Sequence, residues 1–167
     1  MSALDFYAQV AIRCDVLGAG VGAHPDSWEA ALGARFLDVP GRGTLRRDHG
    51  LVEINFSADQ QGQLSCFGFG VKIQRLLYDQ SPSTVPSPLT RKYGPFTHRV
   101  PFEELRAAAV ALGHTVELDD KARDMHRYRV SGSGARIHVI ADDDPDGSGD
   151  PDPDGHRVGD IWSIDVW

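Results

Sequence analysis

Between residues 51 and 75 the chain twice alternates apolar and polar side chains with a period of two, and the pattern returns between 127 and 167. That periodicity constrains the fold more than any other feature, because it demands strands with one covered and one solvated face. In Leu51 to Ser57, Val52, Ile54 and Phe56 share one face while Glu53 and Asn55 take the other. Asp48-His49-Gly50 supplies a turn, so Thr44 to Arg47 and Leu51 to Ser57 read as a hairpin. In Ser65 to Arg75, Phe67, Phe69, Val71 and Ile73 fall on one face, opposite Gly68 and Gly70, which leave room for a close neighbour or mark a bulge. Arg127 to Val130 and Ala135 to Ala141 flank Ser131-Gly-Ser-Gly134 as a second hairpin. Ile161 to Trp167 closes the chain with Trp162, Ile164 and Val166 alternating against Ser163 and Asp165.

Helical patterns precede each set of strands. Ser2 to Leu17 opens on a Ser2/Asp5 capping pair and places Leu4, Tyr7, Ala8, Ala11 and Ile12 on one face. Pro25 to Gly33 reads as a short helix with an acidic first turn, a glycine stop, and Trp28 and Leu32 as anchors. Phe102 to Gly113 carries Glu103 and Glu104 in its first turn and apolar Leu105, Ala108, Ala109 and Leu112. The two halves thus share an order of helix, hairpin and strand, and Ala31-Leu-Gly33 echoes Ala111-Leu-Gly113. The predicted fold is α+β: an antiparallel sheet covered by helices, with a tandem pseudo-repeat of helix plus three strands. The predicted units are 1–78 and 101–167, joined by a Pro/Ser-rich connection over 79–100, all within one compact domain.

Charge is concentrated in one place. Seven aspartates, Asp142, Asp143, Asp144, Asp146, Asp150, Asp152 and Asp154, fall within the fourteen residues ending at Gly155. With Asp160 and Arg157 the segment sums to -7, the formal charge of the whole chain, so the remainder is balanced. An acidic tongue on a neutral body points to a basic partner, a cation or plain solvation. Asp142, Asp144 and Asp146 with Gly147, and Asp150, Asp152 and Asp154 with Gly155, each match the first half of a calcium loop. Position twelve is Pro153 in one and Ile161 in the other, so neither has the closing glutamate. The connection Asp79 to His98 is the second candidate contact region, and of the two C-terminal tryptophans Trp162 is expected in the core while Trp167, at the terminus and on the opposite face, is the better contact candidate.

Other chemistries find little support. The seven histidines form no metal-binding helix motif and have no cysteine cluster beside them, so no metal or other cofactor is expected. Asp48 and His49 belong to a turn rather than a triad, no nucleophile elbow is present, and no catalytic residue is assigned. Gly18 to Gly22 lacks the βαβ context of a dinucleotide loop. The acidic balance argues against nucleic acid, since neutralising phosphates requires clustered Lys and Arg. No apolar run approaches the ~20 residues that span a bilayer. Two cysteines, Cys14 and Cys66, make no disulfide framework, and the expected location is the cytoplasm.

With the Trp28-x-x-x-Leu32-Gly33 helix, the Leu45 to Phe56 hairpin and the Cys66 to Arg75 strand in view, the chain resembles small bacterial immunity proteins, the cytoplasmic partners of toxins from polymorphic-toxin loci. Its tandem helix-plus-sheet order is also similar to the β-lactamase inhibitor protein, whose units present a sheet face to an enzyme. The resemblance implies a non-catalytic, stoichiometric inhibitor that occludes a toxin's active site, with the acidic tongue directed at a basic region of the toxin. The alternative reading is a calcium- or small-ligand-binding module using Asp142 to Asp154.

Overall fold

The computed structural model describes residues 1–149 and 155–167. The chain opens with α1 (Ala3–Arg13), a ribbon of β1 (Asp15–Val16) and β2 (Ala19–Gly20), and α2 (Pro25–Leu32). A meander of β3 (Leu37–Gly41), β4 (Thr44–Asp48), β5 (Val52–Ala58) and β6 (Leu64–Val71) follows. The connection holds α3 (Arg75–Tyr78) and α4 (Ser87–Tyr93), and then α5 (Phe102–Ala111) leads into a second meander of β7 (Val116–Lys121), β8 (Met125–Val130), β9 (Arg136–Ile140) and β10 (Ile161–Val166).

All strands from β3 to β10 join one antiparallel sheet in the order β3-β4-β5-β6-β10-β9-β8-β7. The order reads alike from either end, as a two-fold axis between β6 and β10 would generate. Ile164 opposite Val71 and Val166 opposite Phe69 make that central seam. The repeat is therefore a helix plus four strands, not the three expected. The strands missing from the sequence reading are the two edges, β3 and β7. All five residues of β3 are exposed, and in β7 only Val116 is buried. With one neighbour each and little cover on either face they need no alternation, and Pro40 in β3 and the Asp119, Asp120 and Lys121 charges in β7 suit edges that must not recruit a further strand.

Helices cover one face. On it, β5 contributes Val52, Ile54 and Phe56 to a single hydrophobic cluster that runs from Phe6 in α1 to Val166 in β10. The Ser2/Asp5 pair forms a reciprocal capping box that starts α1, and α1 buries Phe6, Tyr7, Val10 and Ala11. Trp28 of α2 is fully buried edge-on against Phe69, with ring centroids 5.0 Å apart. In the second unit Phe102 of α5 lies on Tyr128 of β8 at 4.1 Å. Both cysteines are free, and burial pushes the Cys66 thiol up to about 11, so it acts as core rather than nucleophile.

Three expectations need correction. A register shift between Asn55 and Phe56 puts an extra residue in β6, so Cys66 takes the core position opposite Phe56 and Phe67 is half exposed. A second shift between Ile161 and Ser163 turns Trp162 partly outward and buries Ser163. The connection 79–100 is not irregular throughout, for α4 buries Leu89 and Tyr93. Pro86 and Pro88 hid this helix, although proline is tolerated in a first turn, where its missing N–H has no intrahelical partner. Among the described residues no helix is long and apolar enough to cross a membrane.

Candidate functional site: the open sheet face and the acidic connection

Among the described residues no helix covers the second face of the sheet at its centre, where polar residues converge from strands remote in sequence. Lys72 Nζ lies 2.6 Å from Asp165 Oδ1, and the Ser163 hydroxyl donates to Asp165 Oδ2 at 2.6 Å. His138 Nδ1 stands 3.1 Å from the same carboxylate oxygen and 3.3 Å from Ser163 Oγ. Burial alone would raise the Asp165 carboxyl, but the His138 contact, the Lys72 charge and the Ser163 hydrogen bond outweigh it and hold the group down to about 2. Serine, histidine and aspartate are present, yet the hydroxyl and carboxylate meet the same ring nitrogen. A relay needs them on opposite nitrogens, so this trio ties β9 to β10 and, through Lys72, to the end of β6.

A second charge group lies beside it. The Arg75 guanidinium donates to Asp48 Oδ1 at 2.9 Å, the Gly50 carbonyl at 2.7 Å and Glu53 Oε2 at 2.6 Å, fastening the start of α3 to the first hairpin. Asp48 also accepts from the Gly50 amide at 2.7 Å, which bears out the reading of Asp48-His49-Gly50 as a turn.

Toward the chain terminus the open face becomes aromatic. Trp167 is 58 % exposed, and the Arg136 guanidinium carbon sits 3.9 Å from its ring centroid. A side chain at Gly68 would crowd the Trp167 Cβ at 3.1 Å, so the glycine is what lets the tryptophan lie there. Phe67, displaced by the bulge, stands half exposed next in sequence. At the far edge Leu37 and Val39, opposite Asp48 and Arg46, are exposed as well.

The acidic tongue joins β9 to β10, so its ends are set by the sheet. Its carboxylates divide by role. Asp144 accepts from the amides of Ser148 and Gly149 at 2.9 and 2.7 Å and from the Ser148 hydroxyl at 3.0 Å; these bonds hold its carboxyl below the usual range. Asp142 accepts from the Asp144 amide at 2.9 Å and faces Arg123 at 3.9 Å. Asp143 and Asp146 are exposed. Asp150, Asp152 and Asp154 lie outside the described residues, and with them the second calcium-type half-loop. Among the described residues no three His, Cys, Asp or Glu side chains group so as to hold a metal ion. Trp162, expected in the core, instead stacks on His156 with centroids 4.7 Å apart at the root of the tongue.

No family model, curated protein or solved structure matches the chain.

On the helix-covered side one titratable group is conspicuous. His49 is 3 % exposed, neither ring nitrogen finds a hydrogen-bond partner, and its ring lies 5.2 Å from that of Phe36. Burial, then the Arg47 charge, pushes it down to about 4. Because the unfolded chain binds this proton near the ordinary histidine value of about 6.5, stability is full above that pH and falls as pH drops toward 4, by about 3 kcal/mol. Urea titrations from pH 7.5 to 4 should show this loss, and His49→Gln should remove most of the slope. An unchanged slope in the variant would assign the loss to other groups.

Proposed function

We propose that this protein is an immunity protein, a stoichiometric inhibitor that neutralises a cognate bacterial toxin by covering its active site. The observation that carries the reading is the uncovered sheet face ending in Trp167 with Arg136 stacked upon it. Exposed tryptophan and arginine are the residue types that dominate binding energy at protein interfaces. Their position is pre-organised by Gly68 and the sheet, so little conformational freedom is lost on docking.

The tongue adds a different contribution. Asp143 and Asp146 project charge from a segment anchored at both ends, next to a face whose own charges are largely paired. Such a field accelerates encounter with a basic surface and orients it without supplying most of the affinity.

The two parts separate kinetically. Trp167→Ala should raise the dissociation rate from the toxin, weakening affinity by about 30-fold or more, as loss of a hot spot costs ~2 kcal/mol. Replacing residues 142–155 by a Gly/Ser linker of equal length should instead slow association by about tenfold at low salt, with the difference shrinking as salt rises. Stopped-flow binding measures both. If neither replacement alters either rate, this surface is not the contact. A calcium-dependent rise in melting temperature, absent from the linker variant, would favour the ligand-binding alternative.

A further inference from the structure

At the root of the tongue a cavity of about 370 Å³ opens between α3, the ends of β8 and β9, and the segment entering β10. That size is at the lower end of the ~300–1,000 Å³ typical of small-ligand sites. Its walls are aromatic: Tyr78, His156 and Trp162, with His156 4.7 Å from Trp162 and 5.5 Å from Tyr78 between ring centroids. Met125 and Ile140 add apolar lining. Three carboxylates, Asp124, Asp142 and Asp143, complete it.

Only Asp142 has a cation near, Arg123 at 3.9 Å; Asp124 and Asp143 pair with no Lys or Arg among the described residues. Arg99 donates to the Gly155 carbonyl at 2.9 Å. The His156 Nδ1 meets the Tyr78 hydroxyl at 3.5 Å, while its buried Nε2 has no hydrogen-bond partner. Burial, aided by His98 and Arg99 against the pull of Asp160, lowers the proton affinity of this ring, so the wall is neutral rather than cationic near pH 7.

We infer that the cavity receives one basic side chain of the toxin, a guanidinium or ammonium on its aliphatic stem, between the Tyr78, His156 and Trp162 rings and the Asp124 and Asp143 carboxylates. The chemistry is that of aromatic cages: ring faces attract the cation, the apolar lining covers its methylene stem, and the carboxylates supply net charge. Placement at the foot of the tongue means that the charge which draws a basic surface in also lies beside the slot for one of its side chains. This inference rests on the proposed immunity function, whose failure can be told apart from its own.

The free protein is titrated with arginine amide, and the Trp162 indole N–H resonance is followed by NMR. A saturable shift is expected with arginine amide, and equally with its Nα-acetyl form, but none with Nα-acetyl citrulline amide, which keeps the side chain's shape and lacks its charge. The Asp124→Asn/Asp143→Asn double variant, at exposed positions where folding is retained, should weaken arginine amide at least tenfold and weaken toxin binding by a similar factor. Equal shifts from Nα-acetyl citrulline amide, or an unaffected double variant, would overturn the inference. Spermidine binding far more tightly than arginine amide would also overturn it, reassigning the cavity to a free amine. If wild type and double variant inhibit the toxin equally, the cavity is empty in the complex and the inference fails while the immunity reading stands. If the wild type itself does not inhibit, the immunity reading falls and takes this occupant with it.

Discussion

Replacing Trp28 by alanine should cost about 3–5 kcal/mol, the range for removing a large aromatic from a packed core. In a chain of this length that lowers the melting temperature by about 6–20 °C. Trp28 has no exposed surface and meets Phe69 of β6 edge-on at 5.0 Å, so it is the residue by which α2 holds the first meander. Leu32, Phe56 and Cys66 of the same cluster are themselves buried, and a close-packed core relaxes only partly into such a space. Its indole Nε1 makes no hydrogen bond, so the loss is one of packing and apolar burial, and Trp28→Phe should recover much of it. Thermal and urea unfolding of the two variants measure the difference. A loss under 1 kcal/mol for the alanine variant would contradict the packing of α2 on the sheet.

Gly50→Ala should be comparably severe. The backbone here has φ +83, a left-handed conformation that costs a side-chain-bearing residue about 1–2 kcal/mol. A methyl group at this position would also overlap the Thr84 carbonyl oxygen. That oxygen accepts from the Leu51 amide at 2.7 Å, so the connection and the first hairpin approach as closely as two backbones can. Relieving the overlap means moving the backbone of one or the other, and overpacking of this kind adds ~1–3 kcal/mol. The sum, about 2–5 kcal/mol, should appear in unfolding curves together with faster hydrogen exchange at Leu51. Gly43→Ala is the control: it has φ +70 but open space around it, so only the conformational part should be lost.

Strands with one fully covered face were legible because burial imposes the period of two: Val52, Ile54 and Phe56 had to point the same way. The same logic failed where a single extra residue broke the period: Gly68 and Gly70 signalled a bulge or a close neighbour, but not that Phe67 would be the extra residue. It failed again at β3 and β7, where an edge strand has no second neighbour and is selected for charge and proline instead of alternation. The acidic tongue and Trp167 needed no register, because composition and position alone mark them. The polar cluster on the open face is another matter. His138, Ser163 and Asp165 meet only through the β9–β10 register, and Lys72 joins them from 93 residues away in sequence. The cavity walls were hidden for the same reason: Tyr78, His156 and Trp162 come from three separate segments, and the β10 bulge is what turns Trp162 toward the other two.

One physical arrangement connects these features. Two helix-plus-four-strand units spend their helices on one side of a continuous sheet and, among the described residues, leave the centre of the other side without a helix, with a charged connection rooted at its end. The centre of that open side is held by strand pairing.

The immunity reading is tested most directly by titrating the purified protein into a candidate toxin, chosen by finding a toxin-like gene beside its own, while following that toxin's catalytic activity. The account predicts a linear fall to zero activity with its end point at one protein per toxin, independent of incubation time once equilibrium is reached. Activity that persists at a several-fold excess of the protein, or inhibition far below one equivalent that grows with time, would contradict it.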